Sequence, residues 1–371
     1  MILHIISGLG IGGAEASLVQ IATMLQARGL PQHVVCVGTL DDHAEELRSR
    51  DVGVTVLGVN SPVRLPGGVI RTAQMIRKLD PVVVQGWMYH GNILAAFGHR
   101  LAHRSRQRRL YWNLRASNVD AARNGRVVRL GAWLSRWPDL VIANSQAGAK
   151  FHIDRGFRPR RMDVIGNGVD TQKFRPDAEA RAALRAQLGI PTDAVVAIHA
   201  ARVDPMKDHP VLLAAMAAVP HVHGLLVGAG SEALCVPENV RAIGLRRDLA
   251  RLYATADIVV SSSAFGEGFS NVVAEGMSVG LIPVATDVGD AREIIGNAGY
   301  VVAPGDVASL AGALAAAASG PAADRFARGL KARARIVGQF PLSMMIDAYA
   351  RLYDSGCAAL PQPAIVSRPA P

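Results

Sequence analysis

Two glutamates, Glu267 and Glu275, lie on either side of a Gly-Phe-Ser-Asn sequence, with seven residues between them. Helical periodicity begins near Asn271, which predicts Glu267 in the loop before a helix and Glu275 about one turn inside it. Carboxylates at two depths beside one ligand can each accept paired hydrogen bonds from vicinal hydroxyls. The free N–H groups from Ser270 to Val272 favour an anion at the helix start. Alternatively, one glutamate could complement the helix dipole and the other could be an ordinary surface residue. This alternative explains either carboxylate but not the Gly-Phe-Ser-Asn between them.

Two cations, Arg202 and Lys207, follow the first predicted strand in the second half of the chain. A loop above a strand end that carries two cations and leads into a helix can clamp a diphosphate without a metal ion. Only five of the 40 basic residues are lysines, so a lysine at this place is less easily explained as an average surface residue. A solvated basic loop is the alternative interpretation.

A glycine pattern, Gly8-x-Gly10-x-x-Gly13, follows the first apolar strand and opens a helix. It matches the dinucleotide-binding fingerprint, which also needs an acidic residue about 20 residues further on. The first acids after the second strand, Asp41 and Asp42, come too late in the chain for a good fit, which disfavours NAD. A side-chain-free loop at a helix N-terminus also accepts a phosphate or a sugar hydroxyl, and a plain strand-to-helix turn is the other alternative.

Apolar runs and helical periods alternate along the chain, and this predicts parallel sheets covered by helices. The predicted strands span residues 1–7, 33–38, 54–59, 82–85, 110–114, 140–143, 194–199, 224–227 and 258–261. The predicted helices begin at Ala14 and span residues 43–50, 68–79 and 209–218, with another after Gly91. The alternation of predicted strands and helices is interrupted near Ile165 and resumes at Ala194.

We therefore predict an α/β protein with two doubly wound, Rossmann-like domains that face each other across a cleft. The predicted units are an N-terminal domain, a joint, a C-terminal domain, a helix that returns to the N-terminal domain, and a disordered Pro-rich tail. Their bounds are 1–165, 166–192, 193–341, 342–356 and 357–371. Sites in such folds lie at the carboxyl ends of strands, so we expect the chemistry in the cleft.

Four motifs in this order resemble the family 4 retaining glycosyltransferases of GT-B fold. They are Gly12-Gly13-Ala14-Glu15, Asn167-Gly168-Val169-Asp170, Arg202-x4-Lys207 and Glu267-x7-Glu275. The resemblance runs from residue 1 to about residue 355. The segments Val84–Asn92 and Trp112–Arg115 are similar to members found in bacterial polysaccharide gene clusters.

The resemblance implies a role for each matching residue. Arg202 and Lys207 would hold the donor diphosphate, while Glu275 would bind the ribose hydroxyls and Glu267 the hydroxyls of the transferred sugar. His90 would meet the sugar near its anomeric carbon, although a lone histidine near a helix start is often a cap or a packing residue. The other implied donor-binding residues are Gly12 and Gly13 over the sugar, Phe269, Ser270, Asn271 and Val272 at the sugar and phosphate, and Gly228 and Ile243 near the nucleobase.

The implied activity is transfer of a hexose-type sugar from a UDP- or GDP-sugar to a glycan or polyprenyl-diphosphate-linked acceptor, with retention of anomeric configuration. No Asp-x-Asp pair occurs in the chain, so we expect neither a metal nor a cofactor besides the nucleotide-sugar co-substrate. Three alternatives remain open at this point. They are a nucleotide-sugar epimerase of the same fold, an NAD-dependent oxidoreductase, and a non-catalytic binding subunit.

Charge is distributed unevenly along the 371 residues, whose 50% hydrophobic and 19% charged content is typical of a globular enzyme. The net charge of +10 divides into +11 up to Ile165 (22 basic, 11 acidic) and −1 after it (18 basic, 19 acidic). The basic residues cluster at Arg64, Arg71, Arg77 and Lys78, and at Arg100, Arg104, Arg106, Arg108 and Arg109. We expect an anionic membrane surface as partner, and no nucleic acid because a recognition motif is missing.

The chain shows no sign of export or of membrane spanning. Its three cysteines have no metal-binding or paired spacing, its first apolar run is too short for a signal peptide, and no run approaches ~18 apolar residues. We therefore expect a cytoplasmic protein, peripheral on the inner face of the membrane.

Overall fold

The computed structural model describes residues 1–10, 12–38, 43–59, 65–102, 108–115 and 121–357. Two all-parallel sheets of seven and six strands lie one after the other along the chain. The α/β fold of two doubly wound units predicted from the alternation of apolar runs is confirmed.

The N-terminal sheet has the strand order β3-β2-β1-β4-β5-β6-β7. Its strands are β1 (Ile2–Ile6), β2 (Gln32–Cys36), β3 (Gly53–Val56), β4 (Val83–Trp87), β5 (Arg109–Leu114), β6 (Leu140–Ala143) and β7 (Met162–Val164). The helices between them are α1 (Gly13–Ala27), α2 (His43–Ser49), α3 (Leu65–Leu79), α4 (Met88–Leu101), α5 (Ala121–Leu134) and α6 (Gln146–Asp154).

The C-terminal sheet has the strand order β10-β9-β8-β11-β12-β13. Its strands are β8 (Val195–Ala200), β9 (Val222–Val227), β10 (Val240–Ala242), β11 (Ile258–Ser261), β12 (Ile282–Thr286) and β13 (Tyr300–Val302). The helices from the joint onward are α7 (Ala178–Gln187), α8 (His209–Ala217), α9 (Leu249–Ala254), α10 (Asn271–Val279), α11 (Ala291–Ile295), α12 (Val307–Ala318), α13 (Ala322–Gln339) and α14 (Leu342–Cys357).

The central strands of each sheet are buried on both faces, which explains why their sequences are mostly apolar. In β1, Ile2 and Ile6 lie in the core on one face of the sheet, while Leu3 and Ile5 lie in the core on the other face. This alternation follows from the two-residue period of a strand. The sheets therefore form rigid floors that carry the loops at their carboxyl ends.

The last helix, α14, packs on the N-terminal sheet. Tyr349 and Tyr353 lie in the same core as β1, and Tyr353 Oη donates a hydrogen bond to Gln85 Oε1 at 2.7 Å. The tail predicted to be disordered lies outside the described residues after Cys357.

The stretch 166–192, predicted as an irregular joint, contains the helix α7. Asp177 caps its first turn, and Arg185 donates to Asp257 Oδ2 at 3.0 Å, which fixes α7 to the C-terminal sheet. The short helix was missed because Pro176 and Pro191 flank it and dominate the local pattern.

The predicted basic surface of the N-terminal domain is smaller than the sequence suggests. Arg108 is buried and pairs with Asp80, and Arg109 lies 3.7 Å from Asp139, so both arginines serve the fold. Arg71, Arg77 and Lys78 are exposed on α3. Of the other clustered arginines, Arg64, Arg104 and Arg106 lie outside the described residues.

Within the described ranges, no helix combines the length and the apolar character needed to cross a lipid bilayer.

Candidate active site

Lys207 and Glu267 meet at the carboxyl ends of the adjacent strands β8 and β11. Lys207 Nζ donates a hydrogen bond to Glu267 Oε1, and Ser263 Oγ donates to the same oxygen at 2.8 Å. Only 16% and 13% of the two charged side chains are exposed, so the pair is largely shielded from water. The pair joins the loop after β8 to the loop after β11 and fixes both at the edge of the sheet.

The lysine is held in place by the local backbone. Asp204 Oδ1 accepts from the N–H of Met206 at 2.9 Å and caps a single 3₁₀ turn, Pro205–Lys207. Ser262 Oγ, from the neighbouring loop, donates to the carbonyl of Lys207 at 2.7 Å. The turn therefore directs the ammonium group to Glu267.

Arg202 lies apart from this pair. Its guanidinium is exposed and lies 3.2 Å from Asp204 Oδ2, whereas the ammonium group of Lys207 is largely shielded against Glu267. A pair of this kind on the surface contributes little to stability, because water screens it. Arg202 therefore lies at the rim of the site and Lys207 on its floor.

Glu275 is the fifth residue of α10, as the periodicity predicts. Burial raises the pKa of its carboxyl group to about 7, against the opposing influence of the Lys173 ammonium and a hydrogen bond from Tyr253 Oη, 3.4 Å from Oε2. The raised pKa results from the loss of hydration of the carboxylate on burial. Perturbed pKa values of this kind are common among functional groups in clefts.

The start of α10 leaves its first N–H groups without a side-chain cap, since Ser270 at the N-cap position makes no capping hydrogen bond. Phe269 is buried and packs edge-on against Phe340, with ring centroids 5.6 Å apart, so only its backbone belongs to the site. Val272 is half-buried on the first turn. Such a helix start presents N–H donors and the positive end of the helix dipole.

The N-terminal domain approaches this helix start closely. A Cβ atom on Gly13 would lie 3.3 Å from Asn271 Nδ2, and Asn167 Nδ2 donates to Asn271 Oδ1 at 2.7 Å. Gly12, in extended conformation, is the N-cap of α1. The glycine pattern thus allows the loop after β1 to meet α10 across the cleft.

Gly228 and Ile243 lie at the ends of β9 and β10. Gly228 has φ +146°, and a Cβ at this position would lie 2.1 Å from the carbonyl oxygen of Ala201, so no other residue fits. Its N–H donates to the carbonyl of Gly244 at 2.8 Å, while Ile243 is half-buried against the core. This corner of the cleft is therefore lined mainly by backbone.

His90 is exposed in the first turn of α4, because β4 turns directly into the helix at Met88. Met88 has φ 56°, which is unfavourable for a residue with a side chain and typical of functional turns. Within the described residues, no hydrogen bond or ion pair joins His90 to Lys207 or Glu267.

Arg115, for which the sequence alone indicates no role, lies at the seam between the two sheets. It follows β5 directly, donates from Nη2 to Asn167 Oδ1, and lies 5.4 Å from the ring centre of Trp87. Its Nε is buried without a partner among the described residues, and burial lowers the pKa of the guanidinium. An arginine immediately after an apolar strand is the signal that would have revealed this residue.

Among the described residues, no three His, Cys, Asp or Glu side chains are arranged to hold a metal ion.

Comparison with known proteins identifies the family. Residues 11–173 match the family described as Glycosyltransferase Family 4, and residues 194–319 match the family described as Glycosyl transferases group 1. The chain belongs to the family 4, group 1 glycosyltransferases.

Curated relatives match parts of the chain. The D-inositol 3-phosphate glycosyltransferase of Nocardioides sp. is 30% identical over 248 residues, which cover 57% of this chain and 54% of that protein. The enzyme of that name from Mycobacterium sp. (strain KMS) is 33% identical over 168 residues, 41% and 38% of the two chains. The matches thus span between about two fifths and half of the length of these relatives.

Solved structures agree over nearly the whole length of the glycosyltransferase. HepE from Anabaena in complex with UDP has a TM-score of 0.81 at 25% identity, covering 95% of this chain and 99% of that chain. The sucrose-phosphate synthase of Thermosynechococcus elongatus has a TM-score of 0.82 at 20% identity, covering 97% and 100%. The predicted GT-B fold is therefore confirmed.

Proposed function

We propose that this glycosyltransferase moves a hexose-type sugar from a UDP- or GDP-sugar to a glycan or lipid-linked acceptor in the synthesis of a cell-surface polysaccharide, with retention of configuration. One observation carries the proposal. Lys207 and Glu267 pair at the carboxyl ends of adjacent parallel strands, and the uncapped helix α10 begins at Asn271, directly after the loop of Glu267. This is the edge at which open α/β sheets bind ligands.

The site offers complementary groups for each part of a nucleotide-sugar. Lys207, with Arg202 at the rim, and the N–H groups of α10 would hold the diphosphate. Glu275 would accept hydrogen bonds from the ribose hydroxyls, and Glu267 from those of the sugar. The backbone corner at Gly228 would receive the base, which explains why the chain carries no obvious side-chain code for uracil or guanine.

Catalysis would follow from the charge that develops at the diphosphate. Breaking the bond between the sugar and the phosphate leaves an oxocarbenium-like sugar and a diphosphate with additional negative charge. The negative charge would grow beside Lys207, Arg202 and the start of α10. These positive groups would therefore stabilise the transition state more than they stabilise the bound donor. We infer that these groups do the work that Mg²⁺ performs in other transferases.

Retention requires the acceptor to attack on the side from which the diphosphate leaves. The acceptor oxygen then bonds to the anomeric carbon while the bond between that carbon and the oxygen of the departing phosphate breaks. The departing phosphate takes the proton of the acceptor hydroxyl. His90 and the glycine loop at Gly12 and Gly13 would line the sugar on the acceptor side. The UDP held by HepE, a protein of the same fold, supports a nucleotide donor.

We also propose that the N-terminal domain binds an anionic membrane surface, where a lipid-linked acceptor would lie. Arg126, Arg129, Leu130 and Trp133 recur at helical spacing along α5 and are all exposed, Trp133 to 69%. Arginines beside tryptophan on one helix face are typical of segments that lie in the membrane interface. The enzyme would then work at the cytoplasmic leaflet as a peripheral protein.

A donor screen read by mass spectrometry tests the proposal. UDP- and GDP-sugars are incubated with polyprenyl-diphosphate-linked acceptors, with and without EDTA, and the anomeric proton of the product is assigned by NMR. We expect one nucleotide class to give a product of retained configuration, equally with EDTA. Conversion of the donor into its epimer without acceptor would favour the epimerase alternative, and an inverted product or loss of turnover with EDTA would contradict the proposed mechanism.

A further inference from the structure

Asp290 makes a contact between the two domains that the proposed roles above do not use. It precedes α11 but does not cap it. Instead, its carboxylate oxygens accept hydrogen bonds from the backbone N–H groups of Gln146 and Ala147, at 2.8 and 2.9 Å. These are the first two residues of α6, which belongs to the N-terminal sheet.

The contact is more than an ordinary helix cap. Ser145 already caps α6 by accepting from the N–H of Gly148 at 2.9 Å. Asp290 accepts hydrogen bonds from two N–H groups to which Ser145 does not bond. Its negative charge faces the positive end of the helix dipole. Charge-assisted hydrogen bonds of this kind are among the stronger ones in proteins.

The turn that carries Asp290 also touches the loop of Glu267. The N–H of Asp290 donates to the carbonyl of Gly268 at 2.9 Å. Gly289, with φ +64°, allows this approach, since a Cβ there would lie 2.4 Å from the Gly268 carbonyl oxygen. On its other side, Gly268 is so close to Asn144 that a Cβ would lie 2.6 Å from Asn144 Oδ1.

These contacts build one continuous stack of the turn at Asp290, the loop at Gly268 and the end of β6 at Asn144. The first two come from the C-terminal domain and the third from the N-terminal domain. A displacement of α6 relative to Asp290 would therefore change the distance between the N-terminal domain and the loop that carries Glu267.

We propose that Asp290 is a positioning residue that holds the N-terminal domain at the working distance from the sugar-binding loop. The inference rests on the proposed function, in which the donor lies on the C-terminal domain and the acceptor on the N-terminal domain. Asp290 then aligns acceptor and donor sugar without contributing to nucleotide binding. An error of about 1 Å in such alignment can reduce turnover by about 100-fold.

The test compares transfer with nucleotide binding in three variants. Asp290→Ala removes both hydrogen bonds, Asp290→Asn keeps an acceptor without the charge, and Asp287→Ala is the matched control, because Asp287 pairs with Arg292 on the exposed side of the same turn. We expect kcat/KM for transfer to fall by about 10- to 100-fold in Asp290→Ala, with partial rescue in Asp290→Asn. UDP affinity, measured by calorimetry, should stay within twofold of the wild type in all three variants.

A substitution on the opposite side of the contact tests whether α6 is the partner. Gln146 is the first helical residue, where proline is tolerated, and Ser145 before it has the extended conformation, φ −161° and ψ 153°, that proline favours. Gln146→Pro removes one donor and places a ring against Asp290. As a single substitution, Gln146→Pro should lower kcat/KM for transfer. In the double variant with Asp290→Ala, kcat/KM should be no lower than in Asp290→Ala.

Amide hydrogen exchange at Gln146 and Ala147 provides a readout independent of activity. Both amides should be protected in the wild type and in Asp287→Ala, and exchange faster in Asp290→Ala. Wild-type turnover by Asp290→Ala, additive losses in the double variant, or a parallel loss of UDP affinity would each overturn the proposal. If the wild type neither binds UDP nor transfers sugar while exchange still responds to Asp290→Ala, the proposed function fails and the domain contact stands.

Discussion

Lys207 donates a hydrogen bond from its ammonium group to the carboxylate of Glu267, which lies 60 residues further along the chain. Both side chains are mostly shielded from water, so each is the principal charge partner of the other. Removing one partner from a shielded pair leaves an uncompensated charge, which costs more than the pair contributes. The two residues therefore have to be tested through binding and turnover as well as through stability.

We expect Lys207→Ala to lose most transfer activity while the protein stays folded. Loss of one preorganised charge at a developing anion typically reduces kcat by about 100- to 1,000-fold. The measurement is the initial rate of product formation, with circular dichroism as a check of folding. Lys331→Ala removes an exposed lysine on α13 and serves as the matched control, which should behave as the wild type. Turnover at the wild-type rate by Lys207→Ala would remove the assignment of the donor site.

The affinity for UDP should depend on pH through Glu275. Burial raises the pKa of this carboxyl to about 7, so it is ionised above that pH and protonated below it. The ionised form is the better acceptor for two ribose hydroxyls, and UDP should bind more weakly as the pH falls from 8.5 to 5.5. The terminal phosphate of UDP also takes up a proton in this range, with a pKa of about 6, and this affects both proteins. Calorimetry should therefore show a steeper loss in the wild type than in Glu275→Gln, which should bind more weakly at pH 8.5. Identical profiles in the two proteins would mean that Glu275 does not contact the ligand.

The same group should make the folded protein less stable at alkaline pH. A carboxyl with a raised pKa binds its proton more tightly in the folded state, so stability is lost as the pH rises from about 4.5, its ordinary value, through about 7. Glu275→Gln should therefore raise the free energy of unfolding at pH 8, by up to about 3 kcal/mol, and have little effect at pH 4.5. Urea denaturation at the two pH values measures the difference. An equal effect of the substitution at both would contradict the raised pKa.

The exposed face of α5 should bind anionic membranes. Trp133→Ala removes the most exposed aromatic side chain of that face, and Arg126→Ala with Arg129→Ala removes two charges, each contributing up to about 1 kcal/mol near an anionic surface. Sedimentation with phosphatidylglycerol vesicles should show binding at low salt that falls with salt and with either change. Phe326→Ala, at an exposed phenylalanine on α13, is the control. Failure of the wild type to bind at low salt would refute the membrane proposal.

Much of the fold could be predicted from the sequence because local patterns report burial. The run Ile2–Ile6 is buried at every position and apolar at all but His4, because both faces of the sheet are covered. Glu275 falls on a helix because periodicity starts at Asn271. Strand β7 was missed because Met162–Val164 is short, half-buried and preceded by arginines, so it carries no apolar pattern.

The parts of the site that could not be predicted depend on contacts between distant segments. The bonds from Gln146 and Ala147 to Asp290 join residues 144 and 143 positions apart, and nothing near Asp290 in the sequence reveals them. Likewise, the presence of two nearby cations in the sequence does not show which of them is exposed. In the fold, Arg202 is exposed and pairs with Asp204, while Lys207 is largely shielded. Residue types, spacing and the family resemblance indicated candidate site residues, while the distances between them required the fold.

The decisive measurement is nucleotide binding to the wild type and to Glu275→Ala, followed by thermal shift and calorimetry with UDP, GDP and NAD. We expect UDP or GDP, but not NAD, to raise the melting temperature of the wild type, and Glu275→Ala to weaken nucleotide binding at least tenfold at pH 8. A response to NAD alone, or undiminished nucleotide binding by Glu275→Ala, would contradict a nucleotide-sugar site at this end of the C-terminal sheet.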